Sequence, residues 1–204
     1  MTKWAIGLCI VLLAGCKRTA ETPRHKKLNG HAVSDHAGQN ADDERQTIVV
    51  PGKRMGALRI DQNADSVVKR LGKPDYSDAA MGKALLKWNN FKGGHLVVFI
   101  AQKMGVEDYH RFKMIRSGSP VFKTEDELGV GSSLKSLRAR FNLKNRGIFH
   151  SNNEKQTLWV DDGEHIGFEI DADQTCRATI VFAKGYPPEN LYIALYKDFE
   201  KTEE

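Results

Sequence analysis

The sequence contains only three cysteines among its 204 residues, namely Cys9, Cys16 and Cys176. They are too widely spaced for the usual zinc or redox motifs, so such a site built from cysteines is excluded. The chain also lacks the HExxH, GxSxG and phosphate-loop patterns, and it has no Cys-His pair in a catalytic context. Its 31 Lys and Arg residues nearly balance its 26 Asp and Glu residues, which argues against a nucleic-acid partner.

The sequence has one long hydrophobic run, from Trp4 to Ala14, directly after Lys3. A membrane-spanning helix needs about twenty apolar residues, and this run has roughly half that number. Lys17 and Arg18 follow it almost at once. The run therefore has the length and the flanking charges of an export signal rather than of a membrane span.

Leu13-Ala14-Gly15-Cys16 ends this run and resembles a bacterial lipobox. The resemblance to bacterial lipoproteins implies that Cys16 is diacylated on sulfur, becomes the mature N-terminus and is then acylated again, with palmitate as an expected chain. Two or more acyl chains, at about 0.8 kcal/mol per buried methylene, hold a protein on a bilayer. We therefore predict a signal peptide over residues 1–15 and a lipid anchor at Cys16; an ordinary secretory signal cleaved nearby is the alternative.

The residues after the lipidation site predict a location and a tether in the cell envelope. Lys17 is not the aspartate that often retains lipoproteins at an inner membrane, so the resemblance favours an outer membrane, with the domain facing the periplasm or the cell surface. Residues 16–47 are polar and have few apolar anchors, which predicts a flexible tether. His25, His31 and His36 lie there without periodic spacing, and we interpret them as linker residues rather than as a metal site.

An internal repeat is indicated within residues 48–204, which we predict to form one domain. A shift of about 70 residues lays Leu58 on Leu128 and Leu71 on Phe141. The same shift lays residues 95–100 on residues 165–170. Because helical and strand patterns match in the same order, we predict a duplicated unit. The predicted segments are repeats at about 56–118 and 126–185 and a C-terminal segment at 186–204.

Each predicted repeat begins with a helical pattern and continues with strand patterns. Asn63 can cap a helix that Gly72 ends, and Ser132 or Ser133 can cap a second helix with Leu134 at its start. The strand patterns cover residues 84–88, 94–101 and 109–116 in the first repeat and residues 157–160, 165–170 and 177–183 in the second. We therefore predict an α+β fold in which two tandem helix-plus-antiparallel-sheet repeats of about 70 residues form one domain.

Two shorter features complete the prediction of structure. Leu191, Leu195 and Phe199 have the spacing of a terminal helix that lies on the domain, although residues 191–196 would also serve as an edge strand. Cys176 stands in an apolar alternating stretch, so we predict that its thiol is buried in a strand and unreactive.

The first repeat carries a resemblance to known envelope proteins. Leu58-Arg59-Ile60, Asn63-Ala64, Val67 and Leu71-Gly72-Lys73-Pro74-Asp75 resemble the helix of BamE/SmpA-type outer-membrane lipoproteins, whose repeat runs as an apolar pair, a capped helix and a Leu-Gly-x-Pro exit. Two such units in tandem resemble the β-lactamase-inhibitor-protein (BLIP-like) fold, in which a duplicated unit forms one concave sheet surface. The resemblance implies a protein-binding module with an assembly-accessory or inhibitor-like role.

Several side chains are candidates for contact with a partner. Large aromatic and arginine residues supply most hot spots of protein interfaces. The candidates are Trp88, Trp159, Tyr109, Arg138 and Arg140. The two tryptophans would also fit core positions of strands. Basic residues on both predicted helices support an alternative, in which the helix faces bind an anionic envelope polymer; they include Lys69, Arg70 and Lys73 in the first helix and Lys135, Arg138 and Arg140 in the second.

The turn Glu164-His165 supports a further alternative, an envelope hydrolase that uses His165 in proton transfer. We favour a hairpin turn over Asp161-Asp162-Gly163-Glu164, because such a turn supplies neither an orienting partner nor a dry cleft. Asp171 and Asp173 lack the glycine and the distal glutamate of a calcium loop. We therefore predict no catalytic residue, no metal and no cofactor. The predicted partners are the membrane, through the N-terminal lipid, and an unidentified envelope protein, but not nucleic acid.

Overall fold

Thirteen strands and three short helices form the part of the chain that the computed structural model describes, residues 46–151 and 153–202. The strands are β1 (Ile48–Val50), β2 (Arg54–Met55), β3 (Leu58–Arg59), β4 (Tyr76–Ala80), β5 (Lys83–Phe91), β6 (Gly94–Ala101), β7 (Arg111–Ser117), β8 (Lys123–Thr124), β9 (Lys144–Ser151), β10 (Glu154–Asp161), β11 (Ile166–Asp171), β12 (Cys176–Phe182) and β13 (Glu200–Lys201). The helices are α1 (Ala64–Leu71), α2 (Leu134–Arg140) and α3 (Pro188–Leu195). The predicted signal peptide, Cys16 and nearly all of the predicted tether lie outside the described residues.

Nine of these strands form one antiparallel sheet in the order β13-β9-β10-β11-β12-β7-β6-β5-β4. A smaller sheet has the order β3-β2-β1-β8, in which β1 and β8 are parallel. Most neighbours in the large sheet are also neighbours in sequence, because short turns can join antiparallel strands. β7 and β12 are not neighbours in sequence, and their pairing joins strands β4–β7 to strands β9–β12.

The predicted fold class, α+β with two tandem helix-plus-antiparallel-sheet repeats, is wrong. The domain is mostly β, with helices of only eight, seven and eight residues. The strands of the two predicted repeats do not form sheets of their own, because Ser117 pairs with Thr179 and Met114 pairs with Phe182. This pairing satisfies two strand edges that separate sheets would leave open. The spacing of helical and strand patterns does not specify which strands pair across the two halves.

The predicted starts of the first two helices are confirmed. The side-chain oxygen of Asn63 accepts a hydrogen bond from the Asp65 amide at 3.0 Å and caps α1. The Ser133 hydroxyl accepts one from the Ser136 amide at 3.1 Å and caps α2. Each cap satisfies a backbone donor that the first helical turn leaves without a partner. Within the described residues, no helix has the length and apolar character that crossing a bilayer requires.

The large sheet is covered on both of its faces over its central strands. The helix face, which includes Leu86 and Val98, packs against α1, α2 and the small sheet. The opposite face, which we call the strap face, includes Leu85 and Val97 and lies against α3. Successive side chains of a strand point to opposite faces, so adjacent apolar residues show that both faces are covered. Cys176 is fully buried, as predicted, and burial raises the pKa of its thiol to about 12.

The C-terminal strap, residues 186–202, covers the middle of the strap face. The predicted terminal helix is confirmed as α3, but it ends before Phe199, and the alternative edge strand over residues 191–196 is wrong. The Phe149 ring on β9 lies 5.0 Å from the ring of Tyr192 and 4.4 Å from that of Tyr196. After α3 the strap ends in β13, which pairs with β9. Aromatic packing and a short strand therefore hold the strap in place.

Candidate functional site

A buried ion pair lies at the centre of the strap face. Arg116 on β7 and Glu169 on β11 are only 4% and 1% exposed. Arg116 Nη2 donates to Glu169 Oε2 at 2.6 Å, and Arg116 Nε donates to Glu169 Oε1. The pair reaches across β12, where Ala178 is the residue opposite Glu169. A two-pronged contact of this kind gives both geometric specificity and strength.

The strap and β6 complete the hydrogen bonding of this ion pair. The Tyr192 hydroxyl donates to Glu169 Oε1, and Arg116 Nη2 donates to the Tyr196 hydroxyl at 3.2 Å. Arg116 Nη1 is hydrogen-bonded to His95 Nε2. We call these five side chains the polar network. Because two of them belong to the strap, the network ties the strap to the sheet.

Burial and neighbouring charges shift the pKa values in the polar network. Burial, followed by the charge of Arg116, lowers the pKa of His95 from 6.5 to about 4. His95 is therefore neutral, and its Nε2 accepts from Arg116. Burial alone would lower the pKa of Arg116, but Glu169 outweighs this effect and raises it well above the usual value. Burial, followed by the charge of Glu169, raises the pKa of Tyr192. The hydrogen bonds of Tyr192 and Tyr196 to this ion pair hold the strap against the sheet.

An open groove of about 410 Å³ lies beside α3 on the strap face. Its floor is apolar and its rim carries charge. The floor includes Leu85, Phe99 and Met114, the strap contributes a wall that includes Tyr186, Pro187 and Leu191, and Asp78, Ala80 and Lys83 lie at the side of β4 and β5. Apolar floors with a few polar groups at the rim are typical of binding sites. The strap therefore covers only part of this face.

Strand β4 forms the edge of the large sheet next to this groove. All five of its residues are exposed to solvent, and Tyr76 is 51% exposed. It pairs with β5 on one side, and no described strand pairs with its other side. The opposite edge of the sheet is β13, which consists only of Glu200 and Lys201. Because β4 and the groove adjoin, we refer to them together as the edge-groove surface.

Two of the predicted partner-binding residues lie away from this surface. Trp88 is only 7% exposed, and its indole N–H donates to the carbonyl oxygen of Gly72 at 3.2 Å. It therefore packs the end of α1 onto the sheet. Tyr109 is partly buried in the loop before β7, where the Arg111 guanidinium lies 4.6 Å from its ring centroid.

The other three predicted residues lie at α2. The Arg138 guanidinium lies 5.4 Å from the ring centroid of the partly buried Trp159. Arg140 binds two carboxylates, Asp126 at 2.9 Å and Glu164 at 2.8 Å. These partners neutralise much of the positive charge that the sequence places on α2. A partner-binding role for the five residues stays a prediction.

The hairpin turn predicted between β10 and β11 is confirmed. Asp161 Oδ1 accepts hydrogen bonds from the amides of Gly163 at 2.9 Å and Glu164 at 3.0 Å. His165 has a positive φ of 57° and packs its ring edge-on against Phe182, with 5.5 Å between the centroids. Arg140 forms a salt bridge with Glu164, so the Glu164 carboxylate is not free to act as a base.

Asp171 also has a structural role in a turn. Its Oδ1 accepts from the Thr175 amide at 2.8 Å, and its Oδ2 accepts from Arg177 Nε at 2.5 Å. These bonds close the turn between β11 and β12. Across residues 46–151 and 153–202, His, Cys, Asp and Glu side chains nowhere come together in a group of three that could hold a metal ion.

Comparisons with known proteins assign this chain to no family. No family model and no curated protein matches the chain. A cysteine-rich secretory protein from Staphylococcus aureus subsp. aureus Mu50 is similar in structure at 8% identity and a TM-score of 0.41, over 78% of this chain and 54% of that one. An extracellular protein containing an SCP domain from Bacillus anthracis str. Ames is similar at 8% identity and a TM-score of 0.40, over 90% and 55%. This chain thus spans about half the length of each, and similarity at this level assigns neither fold nor function.

The edge-groove surface and the polar network were not predicted from the sequence, although two signals point to them. Leu85-Leu86 and Val97-Val98 break the apolar-polar alternation that a half-buried sheet would show, which indicates that both faces are covered. Arg116 follows Met114-Ile115 and Glu169 stands between Phe168 and Ile170, so two charges of opposite sign lie next to apolar strand residues. Charged residues are almost never fully buried unless they are paired, so two such residues suggest an ion pair.

Proposed function

We propose that this protein is a lipid-anchored bacterial envelope protein whose β domain binds another protein through the edge-groove surface. The observation that carries the proposal is an exposed edge strand, whose outer side pairs with no described strand, next to an open apolar groove. Stable domains usually protect such edges, because unpaired N–H and C=O groups attract other strands. Exposed apolar surface of this kind is typical of interaction sites. The lipobox at Cys16 supports the envelope location.

The strap limits the part of the sheet that a partner can reach. In this chain the strap covers the middle of the strap face and leaves the edge-groove surface open. We accordingly propose binding at this surface rather than over the whole sheet.

Contacts of the described residues favour binding over the two alternatives. For a hydrolase at the Glu164-His165 turn, Glu164 would have to leave Arg140, and the ring of His165 packs edge-on against Phe182. A general base must be oriented and within reach of the proton that it removes. For an anionic polymer on α2, Arg140 would have to exchange two existing carboxylate partners. We therefore propose neither role.

Replacing Cys16 with serine is expected to move the protein from the membrane fraction to the soluble exported fraction. Serine cannot carry the thioether-linked lipid that the lipobox resemblance implies, so the anchor is lost. The measurement is fractionation of the full chain, with a salt wash of the membrane pellet. A Cys16→Ser protein that still sediments with washed membranes would refute the lipid anchor.

A photo-crosslinking amino acid at Tyr76 is expected to join the full-length protein to one discrete envelope protein. Tyr76 is half exposed on β4, so a benzophenone there would contact any partner on the edge-groove surface. The control is the same amino acid at Val121, which is 43% exposed and lies outside this surface. The measurement is the mass-spectrometric identity and the yield of crosslinked product in intact cells.

The position of the crosslink decides the proposal. A product that forms at Tyr76 and is at least roughly tenfold weaker at Val121 supports it, because tenfold corresponds to about 1.4 kcal/mol of preference. Equal products at both positions, or none at Tyr76, would rule out the edge-groove surface as the contact site.

A further inference from the structure

The turn between β4 and β5 determines which backbone groups of β4 point away from β5. Met81 and Gly82 form a two-residue hairpin loop with φ values of 50° and 71°, as a type I′ turn requires. In such a hairpin the flanking pair, Ala80 and Lys83, exchanges hydrogen bonds. Because hydrogen-bonded and non-bonded pairs alternate along an antiparallel ladder, the amides of Ser77 and Ala79 point away from β5.

Those outward groups are less protected than the opposite edge of the sheet. Edge strands are usually blunted by charged side chains, proline, a bulge or extreme shortness. β13 has two residues and both are charged. β4 has five residues, pairs in unbroken register with β5 and carries a single charge, Asp78, and no proline. It therefore presents a regular row of donors and acceptors to solvent.

The groove indicates which side chains an added strand would carry. Asp78 lies opposite Leu85, and Ala80, whose side chain is small, lies opposite Lys83 and lines the groove. A large apolar side chain of the added strand can lean over Ala80 toward the apolar floor of the groove. Asp78 on β4 shares this face with Lys83 and Lys87 on β5, so charges of both signs lie near an added strand.

A second copy of this chain fits the edge less well. Asp78 is the middle residue of β4. Antiparallel pairing of two β4 strands about their centres would place the two Asp78 carboxylates directly opposite each other. Like charges in that position destabilise a sheet. The edge is better suited to a different protein.

We propose that the partner binds as an added β-strand, in which an extended segment of a different protein pairs with Ser77 and Ala79 and places a large apolar side chain toward the groove. This inference rests on the proposed function and adds the mode of recognition. Main-chain hydrogen bonds would supply much of the affinity, and the groove would supply specificity.

Proline at position 79 tests this mode in the full chain that carries the crosslinker at Tyr76. Ala79→Pro removes an outward N–H and is tolerated on an open edge, where that N–H has no partner in the sheet. The matched control is Ala79→Ser, which keeps the N–H. We expect the yield of the Tyr76 crosslink to fall roughly tenfold in Ala79→Pro, because the partner loses a hydrogen bond and keeps an unpaired acceptor. In Ala79→Ser the yield should stay within about twofold.

A second variant, Ser77→Pro, removes the other outward N–H and should have the same effect. Thermal unfolding of each variant identifies any variant that has lost its fold. The crosslink yield of a proline variant that remains folded then tests strand addition. A crosslink at Tyr76 that persists in a folded proline variant would overturn strand addition while leaving protein binding in place. The absence of any crosslink at Tyr76 in the parent would instead reject the proposed function, and the strand mode with it. A product that is a dimer of this chain would overturn the choice of a different protein as partner.

Discussion

Replacing Glu169 with alanine is expected to lower the free energy of unfolding by about 3–5 kcal/mol. The change leaves the charge of Arg116 buried without its carboxylate, and Arg116 is only 4% exposed. It also removes the acceptor of the Tyr192 hydroxyl, which is likewise buried. Chemical unfolding in urea, followed by tryptophan fluorescence, measures the loss.

The matched control removes both charges at once. In the double variant Glu169→Leu with Arg116→Met, apolar side chains of similar size replace the pair, so neither charge is left alone. Buried ion pairs that are replaced in this way often cost little stability, because the desolvation of both charges is also removed. We expect the double variant to be more stable than Glu169→Ala. A double variant as unstable as the single one, or a loss below about 1 kcal/mol for Glu169→Ala, would contradict the account of the polar network.

Replacing Phe141 with alanine is expected to cost about 3–5 kcal/mol. Phe141 follows α2 and is 3% exposed, and its ring centroid lies 5.4 Å from that of Phe168 in the helix-face core. Alanine would leave a cavity there in addition to the lost transfer free energy. Urea titration of the variant measures the effect.

Leu71 is the matched comparison, because the 70-residue shift lays it on Phe141. The sequence alone predicts a similar loss for both, about 2–5 kcal/mol on truncation to alanine. The structure separates them, since Leu71 is only partly buried at the end of α1. We therefore expect Leu71→Ala to cost roughly 1–2 kcal/mol, in proportion to the apolar surface that it buries. Equal losses at the two positions would mean that burial does not describe the packing of these helix ends.

Local features of the fold could be predicted because their causes lie close together in sequence. Asn63 caps α1 by bonding an amide two residues away, and Ser133 caps α2 by bonding one three residues away. Asp161 closes its hairpin with amides two and three residues on. Such contacts depend on residue type and spacing, which the sequence displays directly.

The candidate site could not be predicted in the same way. The sequence allowed Trp88 to be either a contact residue or a core residue of a strand, and the strand that carries Trp88 turns its ring into the core. β4 was missed because Tyr76–Ala80 has weak strand character and becomes a strand by pairing with β5. The groove depends on where the strap stops on the strap face, which no local pattern specifies.

The sequence by itself determined the caps of α1 and α2 and most of the central strands, because each is a pattern of neighbouring residues. The export signal and the lipobox, which are also local patterns, stay predictions. Only the tertiary structure decided that β7 pairs with β12. This pairing joins the two segments that were predicted as separate repeats into one mostly β domain. The tertiary structure alone also joined Arg116 to Glu169, which are 53 residues apart, and laid the strap over them. The physical reason is that side chains on both faces of a strand can be equally apolar, so the choice of strand partners and of the covering segment rests on contacts between distant parts of the chain.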